Sequence, residues 1–207
     1  FTIFRNNPFD STSLSNDYIT TIFEDRRGRL WIGTSNGLNC FDPATEKFRR
    51  FLHDHANPNS LNDNNISAIC EAPAQSNTTK DVTLLWIGSV NGGLNKLVLY
   101  ETRGELPPAM RAQRSNQKQQ PDYDVVRYQH HPDDTTSISS NRIWDILVDQ
   151  TGVLWIGTDQ GLCRLDPPHL SAVNKQPVTF TRYLHDKKKA SSLLDHDCHS
   201  LYESPDS

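Results

Sequence analysis

One short phrase is written three times along the chain, and a repeat of this kind restricts the fold more than any single residue does. It reads Leu-Trp-Ile-Gly-Thr at residues 30–34, Leu-Trp-Ile-Gly-Ser at 85–89 and Leu-Trp-Ile-Gly-Thr again at 154–158. A Gly-Leu pair follows each copy, ending at Leu38, Leu94 and Leu162. Upstream stand Ile19 with Ile22, Ile66 with Ile69, and Ile143 with Ile146, while Cys198 with Leu201 opens a fourth copy. Counting back 15 residues from Ile19, Ile66, Ile143 and Cys198 gives Phe4, Phe51, Tyr128 and Tyr183, an aromatic every time. Phe1, Phe48, Val125 and Phe180 share a second frame, and Ser13, Ser60, Ser137 and Ser192 a third.

Each unit offers four short strands, in the first copy about residues 18–24, 30–34, 38–41 and 47–51. Between them lie turn residues: Asp25 to Gly28, Ser35 to Gly37, and Asp42 with Pro43. Links this short join strands antiparallel. The Leu-Trp-Ile run is apolar on both of its alternating faces, which predicts a small sheet covered on both sides. A four-stranded sheet that recurs about every 47 residues, as between Phe4 and Phe51, with both faces buried, is what a propeller blade requires. The expected class is therefore all-β: a β-propeller fragment of about three four-stranded antiparallel blades plus the first strand of a fourth. Blade units are expected at about 1–51, 52–128 and 129–183, with the start of the next over 184–207, making one partial propeller of residues 1–207. A closed propeller has about four to eight blades, so the chain reads as a piece of a longer polypeptide.

The copies differ in length where the sequence turns polar. From Ile19 to Trp31 and from Ile143 to Trp155 are 12 steps, but from Ile66 to Trp86 there are 20. The excess falls in 72–83, and a second insertion, 101–122, contains Pro107 and Pro108. Both suit surface loops, and 113–122 reads as flexible.

Composition excludes several functions. Acidic and basic residues are interspersed at a net charge of −4, so no basic stripe exists for nucleic acid. No apolar run approaches the roughly 18 residues of a membrane span, and Phe1 opens into strand-like sequence without a signal peptide. A membrane connection is thus expected only through parts of a full-length protein outside this chain. Cys40, Cys70, Cys163 and Cys198 form no C-x-x-C pair and read as free, partly buried thiols. No phosphate-cradling glycine loop, H-E-x-x-H, G-x-S-x-G or close carboxylate pair is present. No catalytic residue, metal ligand or cofactor is assigned.

Recurrence separates scaffold from site. Trp31, Trp86 and Trp155 stand at one position of every copy and are expected to fill the space between blades; Gly33, Gly88 and Gly157 mark close approaches. His53, His130 and His185 also align, two residues after the aromatic, but successive blades splay them too far apart for the ~2 Å bonds of one metal ion. Loop hydrogen bonding is their expected role. Candidate ligand-binding residues are those whose frame is fixed while their chemistry changes. Just before the inner strand these are Tyr18, Asn65, Arg142 and Asp197; in the turns between strands two and three they are Asn36, Asn91 and Gln160. Strand parity brings both sets to one face and both insertions to the opposite one. Varied polar side chains on a rigid frame are what a small-ligand site needs.

The phrase I-x-x-I-x-x-D-x-x-G-x-L-W-I-G-T-x-x-G-L, matched from Ile19 to Leu38 and from Ile143 to Leu162 with a trailing aromatic pair, resembles the two-component regulator propeller repeat. The second copy departs from it, with an insertion after Glu71 and Gly92 added to its turn. The resemblance implies the periplasmic sensor portion of a bacterial hybrid histidine kinase, an inner-membrane protein. It implies a small-molecule or carbohydrate ligand and a homodimeric intact receptor, and no enzymatic activity. A protein-interaction scaffold, or a propeller lyase or hydrolase, are the alternative readings.

Overall fold

A computed structural model describes residues 1–73, 82–100, 122–166 and 178–204. Most of the two insertions, 74–81 and 101–121, lies outside them. The described residues form twelve strands and no helix: β1 Ile19–Glu24, β2 Leu30–Thr34, β3 Gly37–Asp42, β4 Lys47–Phe51, β5 Ile66–Glu71, β6 Val82–Ser89, β7 Leu94–Tyr100, β8 Tyr123–Tyr128, β9 Ile143–Val148, β10 Leu154–Thr158, β11 Gly161–Leu165 and β12 Thr181–Tyr183. They pair strictly in chain order into three antiparallel meanders, β1–β4, β5–β8 and β9–β12.

The turn chemistry explains why the strands reverse where they do. In the first turn Gly28 N–H donates to Asp25 C=O at 2.8 Å while Gly28 holds a φ of 76°, a left-handed value costly for any residue with a Cβ. Gly152 repeats this against Asp149 at 2.8 Å. In the second meander the hairpin β6–β7 is longer, pairing from Val82 with Tyr100. Ala72 N–H donates to Leu84 C=O at 3.0 Å, so the sheet extends into the stretch that length comparison assigns to the insertion.

Two of the three hydrophobic clusters lie between the meanders, while a smaller one, Leu14, Ile32 and Phe48, belongs to the first unit alone. Trp31, Leu38 and Phe51 of the first pack with Leu61, Ile66, Ile69, Leu85, Ile87 and Leu97 of the second. Ala68, Leu84, Trp86, Leu94 and Val98 of the second pack with Ile143, Ile146, Leu154, Ile156 and Cys163 of the third. Trp31 and Trp86 are fully buried in these seams, while Trp155, on the outer flank of the third meander, is half-buried. Glycine sets the close approach: a Cβ on Gly33 would stand 2.8 Å from Ile66 Cγ2, and one on Gly88 2.6 Å from Ile143 Cγ2. At Gly157 the equivalent neighbour is the Cys198 carbonyl. Residues 198–203 thus occupy the place of a fourth inner strand. They have no ladder partner among the described residues, and Leu201 N–H is held by Asp145 Oδ2 at 2.8 Å.

Candidate functional site

The loop entering each meander is the same structure built three or four times. The imidazole Nδ1 of His53, His130 and His185 donates to the carbonyl eight residues on, at 2.6, 2.8 and 2.7 Å, and Asn6 Nδ2 makes the same bond to Leu14 at 2.7 Å. The serine hydroxyl of the repeat, in Ser13, Ser60, Ser137 and Ser192, accepts the N–H of the residue after that His or Asn. The aligned histidines therefore close loops, and no group of three His, Cys, Asp or Glu among the described residues is arranged to hold a metal ion.

These loops meet the turns between the second and third strands of the preceding meander. Gly37 N–H donates to Asn64 C=O at 2.6 Å, Gly93 to Asn141 at 2.8 Å and Gly161 to His196 at 2.6 Å. Within a meander, Ser35 N–H reaches Tyr18 C=O at 3.1 Å and Val90 N–H reaches Asn65 C=O at 2.9 Å. Both candidate sets thus share one face. Tyr18 and Asn36 sit together on the first meander, Asn65 and Asn91 on the second, and Arg142 and Gln160 on the third. All are exposed except Asn65, which is half-buried. Arg142 Nε lies 4.0 Å from Asp159 Oδ2, its guanidinium 5.6 Å over the Trp144 ring. Asp197, also exposed, has Oδ2 3.9 Å from His199 Nε2.

Three layers beneath this face escaped sequence reasoning. First, Asn39 closes a bidentate bond with Ser15, accepting its N–H at 2.9 Å and donating to its hydroxyl at 2.8 Å; Asn95 does the same with Asn62 at 2.9 and 2.6 Å. In the third meander Cys163 replaces the amide: its Sγ accepts Ser139 N–H and donates to Ser139 Oγ, both at 3.1 Å. No disulfide joins the four cysteines, and burial pushes the Cys70 thiol up to about 11, leaving it poorly nucleophilic. Second, Arg50, Arg127 and Arg182, each just before the repeat aromatic, donate from Nε to Ser13, Ser60 and Ser137 C=O at 2.7, 2.8 and 2.6 Å. Their one-residue offset from the aromatic was the available signal. Third, every inner strand carries a register break that leaves one residue unpaired: Thr20, Ser67 and Trp144.

On the opposite face Asp25 and Asp149 anchor the first turn and accept the indole N–H of Trp31 and Trp155 at 2.9 and 2.7 Å. Burial pushes the Asp25 carboxyl up, but the bonds from Trp31 and Arg29 outweigh it and hold its pKa below the usual carboxylate range. Ala72 stands where the second copy lacks the aspartate, and Trp86 Nε1 has no hydrogen-bond partner among the described residues.

Consecutive four-stranded meanders joined along their inner strands, with cores in the seams between them, define blades of a β-propeller. The family model of the two component regulator propeller matches residues 13–36 and 137–160. In structure it is similar to the extracellular domain of BT3049, described as a hybrid two component system, of B. thetaiotaomicron (TM-score 0.64, 24% identity, 93% of this chain and 22% of that one). It is also similar to the extracellular domain of BT4673 of the same organism, described as a one component system (0.57, 19%, 93% and 20%). A third likeness is to PorZ, a surface component of the type-IX secretion system of Porphyromonas gingivalis (0.51, 16%, 86% and 22%). The chain spans about a fifth of the length of these structures, and at such identities the likeness establishes the fold. No curated protein sequence matches it.

Proposed function

We propose that this chain is part of the extracytoplasmic sensing propeller of a hybrid two-component receptor. Its shared loop-and-turn face binds a small molecule or oligosaccharide, and occupancy is relayed to a kinase through the geometry of a receptor homodimer. The observation that carries the reading is the contrast between a repeated scaffold and unrepeated side chains on one face. The His, Ser, Arg and Asn bonds recur from blade to blade, whereas the exposed positions they hold change from Tyr18 to Asn65 to Arg142 to Asp197. The repeat family and the receptor ectodomains of like fold support the sensor assignment and a periplasmic location; no described helix is long and apolar enough to cross a membrane. Binding is the proposed chemistry, carried by the exposed polar side chains of this face.

The test is a thermal-shift screen of the full-length ectodomain against mono- and oligosaccharides and other small metabolites. A binder should raise the melting temperature in proportion to the logarithm of its concentration. Arg142→Ala and Gln160→Ala should weaken that shift without altering the melting temperature of the free protein. A ligand whose effect survives alteration of all seven candidate residues would refute this placement of the site.

A further inference from the structure

The register breaks on the inner strands point to a floor beneath the candidate face, and this inference rests on the sensing role proposed above. A β-bulge re-aims one side chain out of the alternating pattern. Here the unpaired residues are Thr20 in β1, Ser67 in β5 and Trp144 in β9, and His199 holds the same place after Cys198. They change along the chain from hydroxyl to indole to imidazole, whereas Ile66 and Ile143 immediately before two of them pack in the seams and Cys198 closes against Gly157. The Trp144 ring lies 4.8 Å from that of His199 at 34°.

Unpaired polar atoms lie on two of these bulges and on the turn that carries Asp159. Among the described residues, Ser67 Oγ, Trp144 Nε1 and Asp159 Oδ1 are buried without a hydrogen-bond partner. Buried polar groups are rarely left so, and a cluster of them marks a place that something else satisfies. Two belong to neighbouring bulges, and the third is on the turn whose other carboxylate oxygen faces Arg142 at 4.0 Å.

We infer that the bulge residues Ser67 and Trp144, with Asp159 and with Arg142 and His199 at the rim, form the specificity-determining floor of a site for an uncharged ligand. That ligand presents a donor and an acceptor side by side, as a hydroxyl or an amide does. The indole N–H only donates, the Asp159 oxygen only accepts, and the Ser67 hydroxyl does both. Arg142, the fixed cation of this set, is faced by Asp159 at 4.0 Å, which disfavours an anionic ligand, and Asp197 lies 3.9 Å from His199 Nε2.

The experiment follows the Trp144 indole N–H signal of the 15N-labelled 207-residue chain, assigned with Trp144→Phe. It is titrated with myo-inositol as the hydroxyl probe, N-methylacetamide as the amide probe, and inorganic phosphate as the anion. The expected result is a saturable shift with one of the two neutral probes, which also says which group the floor prefers, and none with phosphate. Ser67→Ala, which removes one hydroxyl from a half-buried position, should weaken that affinity about fivefold. No saturable shift with either neutral probe, a shift with phosphate alone, or an unchanged affinity in Ser67→Ala would overturn the inference. Shifts confined to the side-chain amides of Asn36, Asn91 and Gln160 would likewise overturn it while leaving the shared binding face standing; silence at both sets would count against the face as well.

Discussion

Asp25 shows how much one side chain can decide. Its Oδ1 accepts the N–H of Arg27 at 2.9 Å and of Arg29 at 3.0 Å, and its Oδ2 accepts both the Arg29 Nε–H at 2.7 Å and the Trp31 indole at 2.9 Å. One carboxylate thus shapes the turn and satisfies the tryptophan that fills the seam. Asp25→Asn turns an amide donor or a weaker acceptor on those partners and should destabilise the chain by about 1–3 kcal/mol, measured from urea midpoints at pH 7. The pH dependence follows from the lowered pKa. Stability from a carboxylate depressed in the folded state is complete above its unfolded value of about 3.9 and is lost as pH falls through the folded one. Wild-type stability should therefore fall more steeply below about pH 4 than that of Asp25→Asn; parallel curves would contradict this role. The Asp-x-x-Gly spelling was legible as a turn, but its bond to the indole six residues on was not, because the partner is reached only once the hairpin has closed.

At the scale of the element, the entering loop is the most repeated object in the molecule and the least visible in the sequence. Strand boundaries followed from apolar runs and turn residues because those signals are local. The loop's arginine bonds join residues as far apart as 37 positions, Arg50 with Ser13, and 70 positions, Arg127 with Asn57, and only the fixed offset of the arginine from the aromatic announces them. Arg127 donates to Ser60 C=O at 2.8 Å, Asn57 C=O at 2.9 Å and Ser60 Oγ at 2.7 Å, using the fork that a guanidinium offers and an ammonium lacks. Arg127→Ala should cost about 1–3 kcal/mol, and Arg127→Lys should recover less than half of it. Full rescue by lysine would mean that charge alone matters there. The bulges were equally hidden, since a pairing slip is a property of two strands. The candidate residues fared better: strand parity correctly put Tyr18, Asn36, Asn65, Asn91, Arg142, Gln160 and Asp197 on one face.

At the scale of the whole molecule, burial in the seams leaves the two flanks unlike the middle. One flank exposes Phe4, Ile19, Ile22 and Leu30, and the other carries Tyr183, Leu184 and Leu194 beside the half-buried Trp155. Inner-seam residues of the same kind, such as Ile66 and Ile87, are wholly buried. Exposed apolar patches of this sort favour association, so the 207-residue chain should self-associate or bind an apolar dye in light scattering and dye fluorescence. Leu30→Lys with Ile22→Lys, on one flank, should reduce either signal. A monodisperse, dye-silent wild-type chain would contradict the picture of faces shaped to receive further blades. The period of the repeat made this architecture legible from sequence; how tightly the blades approach was not, because it depends on pairs such as Gly88 with Ile143, 55 residues apart.

That pair supplies the most direct test of the stacked-blade account. A methyl at Gly88 would meet Ile143 Cγ2 at 2.6 Å across the seam, so Gly88→Ala should destabilise by about 1–3 kcal/mol through overpacking, and Ile143→Ala by about 2–5 kcal/mol through the space it vacates. If neighbouring blades meet there, the double variant should be more stable than the sum of the two losses by about 0.5–3 kcal/mol, as the new methyl enters the space left by the isoleucine. Losses that simply add would mean that these residues do not touch and that the meanders are not packed as adjacent blades.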